Sequence, residues 1–380
     1  MANTLTNLIP DLYAALDVLS QEPVAFIDSV ARDSSADQVP LGATLLVPQA
    51  PPNTAGGDVT PAMTLPSAAY QTIGTKSFAF TKARYMPFSW WGSEQKAMNS
   101  GPGYLTLKQA QIAQAIRALR NEMESDLGAA IYIAASRAYG VTAGTAPFPT
   151  DLTDAAGIYK ILTDNGAPPS DRHLTINTTA GMNLRKLTQL TNVNQSGSAD
   201  PLRRGVLLDI FGLMIRESAQ VKSHTKGTGS AYVVNGTHAI GSTSIVAKTG
   251  SNTIVAGDVI VFQGDTNKYV ATTGLGVPGT FTIAAPGLLQ QHTDSETITI
   301  GNNYTANVAY TRNAVLLGTR LPDMPVEGDL ASDSVEVTDP VTGLVYRVLA
   351  YPGDHMVTYR VEIAWGVAVI KPEHVAILIG

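Results

Sequence analysis

The residue types that do chemistry are present in this chain, but their spacing brings no set of them together. The six histidines, His173, His224, His238, His292, His355 and His374, are scattered, and no two lie two to four residues apart, where both could reach one metal ion. Cysteine is absent, which removes disulfides, zinc–thiolate sites and thiol catalysis. The stretch Gly274-Leu275-Gly276-Val277-Pro278-Gly279 matches G-x-G-x-x-G. No helix-forming segment follows it to receive a pyrophosphate, and Pro278 sits among short strand-like segments, so it reads as a turn. Carboxylates gather at Glu122, Glu124 and Asp126. Helical spacing points Glu122 and Asp126 one way and Glu124 another, the pattern of a solvated or salt-bridging face rather than an acid/base dyad. Asp265 in QGDTNKY and the acids from Asp323 to Asp329 in LPDMPVEGD carry turn chemistry first. No phosphate-binding loop, H-E-x-x-H, calcium loop or G-x-S-x-G is found. The expectation is no catalytic, metal-binding or cofactor-binding residue and no cofactor, which favours a structural protein over an enzyme.

The element around which these residues must be arranged is the stretch from Tyr104 to Gly140. It holds no proline, and Ile112, Ile116, Leu119, Met123, Leu127 and Ile131 recur at steps of three or four, one buried face of a helix. Read as one helix it runs roughly 50 Å, longer than a compact domain needs, so it acts as a spine between distant parts.

At 380 residues the chain is long enough for two or three cores, and 44% apolar with only 15% charged residues implies a surface that largely meets protein. The net charge of −6 is mild, and Lys and Arg form no patch beyond pairs such as Arg203-Arg204, which argues against a tight grip on a nucleic-acid backbone. The N-terminus lacks a signal-peptide pattern and no apolar run reaches the roughly 18 residues of a membrane span, so a soluble, cytoplasmic chain is expected, with no membrane partner.

In chain order, Thr4 to Val30 alternates short apolar clusters with Pro10 and Pro23, with Pro10 to Leu19 the best helical turns and no core of its own. Strand patterns cover Val39 to Val47 and Ala69 to Trp91, separated by PQAPPNTAGGDVTPAMTLPS, a loop too long for a tight hairpin unless the whole projects as an arm. Its second strand carries Lys76, Lys82 and Arg84. These cations either protect a sheet edge or meet carboxylates of an adjacent chain, for which Glu122, Glu124 and Asp126 are the acidic candidates. Trp90 and Trp91 are expected to close the junction between hairpin and spine.

Thr150 to Val221 looks α/β, with a helix at Ala155 to Asn165, a strand HLTINT, a helix from Thr179 to Leu190 and a strand-like GVLLDIFGLMIRES. From Lys222 to about Asn307 glycine and threonine rise, and six short strand patterns, SAYVVNG, TSIVAKT, GDVIVFQG, KYVATTG, TFTIAA and ETITIG, suggest a small barrel or sandwich placed in a surface loop. Helix-and-sheet material returns at YTRNAVLLGTRLP, and LVYRVLAYPG, HMVTYRVEIAWGVAVIKP and AILIG close the chain as strands.

Taken in order, MANTLTNLIPDLYAALDVLS, NEMESDLGAAIYIAASRAYG, DIFGLMIRESAQV, AGDVIVFQGDTNKYV, NYTANVAYTRNAVLLGTRLP and IAWGVAVIKPEHVAILIG resemble the major capsid (coat) proteins of tailed bacteriophages with the Hong Kong 97-type fold, in particular podovirus-type coat proteins with an inserted barrel. The resemblance covers almost the whole chain. It implies an α+β fold divided into an N-terminal arm at 1–40, an extended-loop hairpin at 41–92, a spine helix and peripheral domain at 93–149, an axial domain at 150–221, an inserted β-barrel at 222–307 and return strands at 308–380.

The resemblance further implies a shell protein that assembles with itself into pentamers and hexamers of an icosahedral head, with extended arms reaching across neighbours. The implied partners are a scaffolding protein, a portal protein and a decoration protein in some relatives, with double-stranded DNA enclosed rather than bound by sequence. No scaffold-like segment precedes the arm, so scaffolding is expected as a separate chain, with later expansion of the shell as DNA enters. The location implied is the virion capsid, assembled in the host cytoplasm. Charge reversal at Lys82 and Arg84 is expected to impair the shell and leave the single chain folded. The alternatives are a nanocompartment shell of the same fold and a carbohydrate-binding virion protein, the latter needing exposed aromatics where Tyr232, Phe262, Tyr269 and Phe281 read as core.

Overall fold

The computed structural model describes residues 22–51, 61, 72–98, 103–140, 145–192, 194, 204–205, 207 and 209–380. The expected turns at Pro10 to Leu19, and most of the loop between the first two hairpin strands, lie outside the described residues. The first half of the chain contains α1 (Phe26–Ser29), β1 (Ala31–Val39), β2 (Thr44–Gln49), β3 (Gly74–Ala79), β4 (Lys82–Trp91), α2 (Gly92–Met98), α3 (Gly103–Ile133), β5 (Arg137–Tyr139), α4 (Thr153–Asp164), β6 (Arg172–Ile176), α5 (Thr178–Lys186), α6 (Thr188–Thr191) and β7 (Leu213–Glu217). The second half is strand apart from 3-10 turns at Arg312–Ala314 and Pro372–His374: β8 (Ser223–His224), β9 (Ser230–Val234), β10 (Ser244–Ser251), β11 (Val259–Phe262), β12 (Lys268–Thr273), β13 (Gly279–Ile283), β14 (Ile298–Ile300), β15 (Tyr304–Thr311), β16 (Val315–Pro322), β17 (Asp333–Thr338), β18 (Val345–Gly353), β19 (Met356–Val369) and β20 (Val375–Ile379).

The spine helix α3 spans 31 residues, or about 46 Å at the α-helical rise. Leu119, Met123, Leu127 and Ile131 are fully buried and Ile116 nearly so, as the three-and-four spacing requires. The helix stops at Ile133 rather than Gly140, because Ser136 donates its backbone N–H to Val375 and Arg137–Tyr139 pairs with β20 and β12. Strand pairing there overrides the helical propensity of the Ala-rich segment.

Two sheets lie against this helix. In the first, β19 is bordered by β4 along one edge and by β18 and then β16 along the other, with β1 beyond β16 and β17 beyond β18. Its inward residues Val361, Ile363 and Trp365 join Leu119, Met123 and Leu127 in one cluster. The second sheet runs β7-β6-β15-β20-β5 and continues through β12 into the Gly/Thr-rich region. A second cluster, with Ile158, Leu162, Leu174, Leu184 and Leu378, lies under α4 and α5.

All six strand patterns of the Gly/Thr-rich region form strands. They pair in the order β9-β10-β13-β12-β11-β14, and Val233 bridges Thr297 so that the pairing returns to β9. A third cluster lies inside this ring, and Tyr232, Phe262, Tyr269 and Phe281 belong to it, each at most 1% exposed. They are core residues, not an exposed binding face.

The structure corrects the reading of the arm. The pattern at Val39 to Val47 divides into the end of β1 and the start of β2, and β1 pairs in parallel with β16. The pattern at Ala69 to Trp91 breaks at Phe80 and Thr81: β3 pairs with β2 in a separate two-stranded hairpin, whereas β4 joins β19 in the first sheet. The helix expected to run to Leu190 is interrupted at Leu187, whose backbone is extended. Strand β17 follows an acidic loop that gave no strand signal.

Candidate functional site

The hairpin β2–β3 is rooted beside β16 and β19, and Gln49 Nε2 toward its far end donates to the Ile370 carbonyl oxygen at 2.8 Å. Leu41, Leu45, Leu46 and Ile73 on and beside it are exposed, whereas Phe78 and Phe80 near its base are buried and meet edge to face at 5.2 Å. Burying such a ring contributes about 2 kcal/mol. Two rings therefore root an arm that otherwise exposes apolar surface.

Beyond the break, β4 runs along α3. Lys82 Nζ sits 2.7 Å from Asp126 Oδ2, and Arg84 Nε 2.9 Å from Glu122 Oε1. Glu122 and Asp126 do share one helix face, as their spacing predicts. Their cationic partners, however, belong to the same chain. Lys82, Arg84, Glu122 and Asp126, expected at contacts between chains, neutralise one another within the single chain, because β4 is held beside α3 by its pairing with β19. Lys76 is exposed on β3, opposite Val47. Trp90 is buried and donates from Nε1 to Gln111 Oε1 at 2.6 Å, closing the junction as expected, while Trp91 is 42% exposed.

Glu124 faces away from the other two carboxylates, and it is neither solvated nor ion-paired as a surface residue would be. It is 1% exposed and accepts hydrogen bonds from Phe26 N at 3.2 Å, Ile27 N at 2.8 Å and Ser218 Oγ at 3.2 Å. Burial pushes its pKa upward, outweighing the donors that favour the charged form. Its carboxylate joins the N-terminal segment, the spine and the end of β7. A little earlier on the helix, Arg117 pairs with Glu22 and holds its carboxyl down at about 2.

Several buried polar pairs gave no signal in the sequence, since their members lie far apart in the chain or on different strands. His224 Nε2 is 2.9 Å from Asp258 Oδ1, and Asp258 also accepts from Gly227 N and Val255 N. Arg347 Nε donates to Glu362 Oε1 at 2.8 Å across the β18–β19 register. Arg120 lies 3.5 Å from Asp339. None lies beside a nucleophile or a second histidine, and each satisfies a charge that folding has buried. Among the described residues no group of three or more His, Cys, Asp or Glu side chains is placed to hold a metal ion, and no helix is long and apolar enough to cross a membrane.

The G-x-G-x-x-G stretch is a turn between β12 and β13. Leu275 exchanges backbone hydrogen bonds with Ile254, and a Cβ at Gly274 would fall 2.1 Å from the Ile254 carbonyl oxygen. Asp265 accepts from the backbone and side chain of Asn267 and from Tyr269, so its role is turn chemistry.

What the described residues offer is therefore a rooted hairpin with exposed apolar side chains and a body braced by one long helix. No family model and no curated protein matches the sequence. Among solved structures, one from Mycobacterium phage Che8 aligns over 99% of this chain and 98% of its own, with a TM-score of 0.51 and 15% identity. The capsid structure of the cyanophage P-SCSP1u aligns over 96% of this chain and 91% of its own, with a TM-score of 0.52 and 13% identity. At such identity the likeness is one of fold, and the chain has a fold found in the capsid of a bacteriophage.

Proposed function

We propose that this protein is the major capsid protein of a tailed bacteriophage, a structural shell subunit and not an enzyme. The observation that carries the reading is the fold shared with the P-SCSP1u capsid chain over nearly the full length of both. The junction described above supports it: a hairpin exposing Leu45 and Leu46 on a body braced by one long helix suits a subunit that completes its core on its neighbours.

On this reading residues 1–40 are the N-terminal arm, 41–92 the extended loop, 93–149 the spine and peripheral domain, 150–221 the axial domain, 222–307 an inserted β-barrel and 308–380 the returning strands. Copies meet head to tail in rings of five and six that close into an icosahedral head, guided by a scaffolding protein and interrupted by a portal. Many modest contacts, summed over the shell, give it durability. The net charge of −6 suits a wall that encloses double-stranded DNA without gripping its phosphates.

The test is electron microscopy with mass measurement on the purified protein, expressed with and without the scaffolding protein. Closed particles, tubes or spirals of repeating subunits are the expected result. A stable monomer or small symmetric oligomer under both conditions overturns the proposal. Particles that capture a host enzyme instead of DNA would assign the same fold to a cellular nanocompartment.

A further inference from the structure

Gly318 of β16 and Gly366 of β19 stand directly opposite one another in the first sheet. Together they leave a gap in the layer of side chains, and the base of the hairpin lies in it. A Cβ at Gly366 would sit 2.0 Å from the Ala79 carbonyl oxygen and 3.1 Å from Phe80 Cα; one at Gly318 would sit 2.4 Å from Phe78 Cζ and 3.3 Å from Phe80 Cε1. The first is a clash with backbone, which no change of rotamer relieves. The second is a clash with a ring that is itself fully buried. Neither glycine has the positive φ that would explain its presence by conformation alone. The lack of a side chain serves the close approach.

We propose that Gly318 and Gly366 form a seat that sets the angle at which the β2–β3 hairpin leaves the sheet, and thereby the geometry with which one copy of this chain engages the next. The first half of the proposal concerns one chain; the second rests on the shell reading above. No ladder joins the hairpin to the sheet, because β3 pairs only with β2 and β4 takes up pairing with β19 from Lys82 onward; the hairpin is held by this seat and, toward its far end, by Gln49 Nε2, which donates to the Ile370 carbonyl oxygen at 2.8 Å. Around it, Phe80 exchanges backbone hydrogen bonds with Gly42 and Ala43, and the Arg320 guanidinium lies 5.6 Å from the Phe80 ring. A methyl group at position 366 must displace the strand at Ala79 and Phe80, and with it the hairpin that those residues root.

The chain has no cysteine, so a spin-label pair placed by Leu46→Cys and Asp354→Cys reads the hairpin-to-body distance without background. Both positions are exposed. Gly366→Ala is expected to shift that distance distribution in the unassembled chain, and Phe78→Leu, which loosens the seat, to broaden it. Gly74→Ala, in the same hairpin but with open space around its Cβ, is expected to change nothing. In assembly, the two seat variants are expected to give particles of altered or mixed diameter, and Gly74→Ala particles of the parent size. Unchanged distances in the seat variants overturn the seat; if Gly366→Ala does not fold, Phe78→Leu decides the same question. Shifted distances with particles of parent size overturn the link to assembly geometry. Failure of the unsubstituted chain to form particles refutes the shell reading and the assembly link with it, while the distances still decide the seat.

Discussion

Asp126 receives both Lys82 and Trp365: Lys82 Nζ lies 2.8 Å from Oδ1 and 2.7 Å from Oδ2, and Trp365 Nε1 donates to Oδ2 at 3.0 Å. One carboxylate thus ties the first residue of β4 and the middle of β19 to the spine helix. The base of the arm and the core of the sheet share a single anchor on α3.

Asp126→Asn keeps the shape and removes the charge. Because Lys82 is 42% exposed, solvent screens the pair and the expected loss is about 1 kcal/mol. Chemical denaturation of the unassembled chain at low and high salt measures it, with a smaller difference at high salt. Reversing both Lys82 and Arg84 to Glu places like charges against Glu122 and Asp126 and is expected to lower the thermal midpoint of the single chain. Loss of assembly in that variant cannot then be assigned to contacts between chains, and a midpoint equal to the parent's would contradict the internal pairing.

Glu124 has its pKa raised by burial. A carboxyl with a folded pKa above its unfolded one contributes stability fully below the ordinary value of 4.5, and that contribution is lost as pH rises through the elevated folded value. The stability of the parent relative to Glu124→Gln is therefore expected to fall on going from pH 4 toward neutrality. Glu124→Ala strands the Phe26 and Ile27 N–H groups and is expected to cost roughly 3 kcal/mol. Amide exchange at residues 25–30 should accelerate in the alanine variant more than elsewhere.

For Glu22 the sign is opposite. Arg117 holds its pKa at about 2, so its contribution is present above 4.5 and disappears as pH falls through 2. Carbon-detected NMR of the Glu22 carboxyl is expected to show a midpoint near that value, moving back toward the ordinary carboxylate range in Arg117→Gln. An unmoved midpoint would remove the tie between the N-terminal segment and the helix.

Arg347 and Glu362 are each 3% exposed. Glu362→Ala leaves a guanidinium buried without its counter-charge and is expected to cost about 3–5 kcal/mol, whereas Arg347→Met with Glu362→Leu is expected to lie close to the parent. Denaturation midpoints of the three chains decide it.

Much of this architecture is written locally. The buried face of α3 follows from Ile116, Leu119, Met123, Leu127 and Ile131, and the six short strands between Ser230 and Ile300 follow from alternation broken by glycine turns, because secondary structure of that kind depends on residues within one or two turns of each other. The turn at Gly274–Gly279 was legible for the same reason, since a glycine-rich stretch among short strands can be read position by position. Contacts across the fold were not. Trp365 and Asp126 are 239 positions apart, and no spacing rule joins them. The division of Ala69 to Trp91 into two strands was hidden because Phe80 and Thr81 continue the β pattern, and only the tertiary structure shows the chain changing partner there, from β2 to β19.

What the sequence by itself determined was most of the elements and the faces they bury, properties of neighbours along the chain. What only the tertiary structure decided was which elements pair: that α3 yields to strand after Ile133, that β1 lies beside β16, and that the charges of β4 find their partners at home on α3. Pairing energy depends on which surfaces are brought within contact distance, and that is fixed by the packing of the whole chain rather than by any stretch of it.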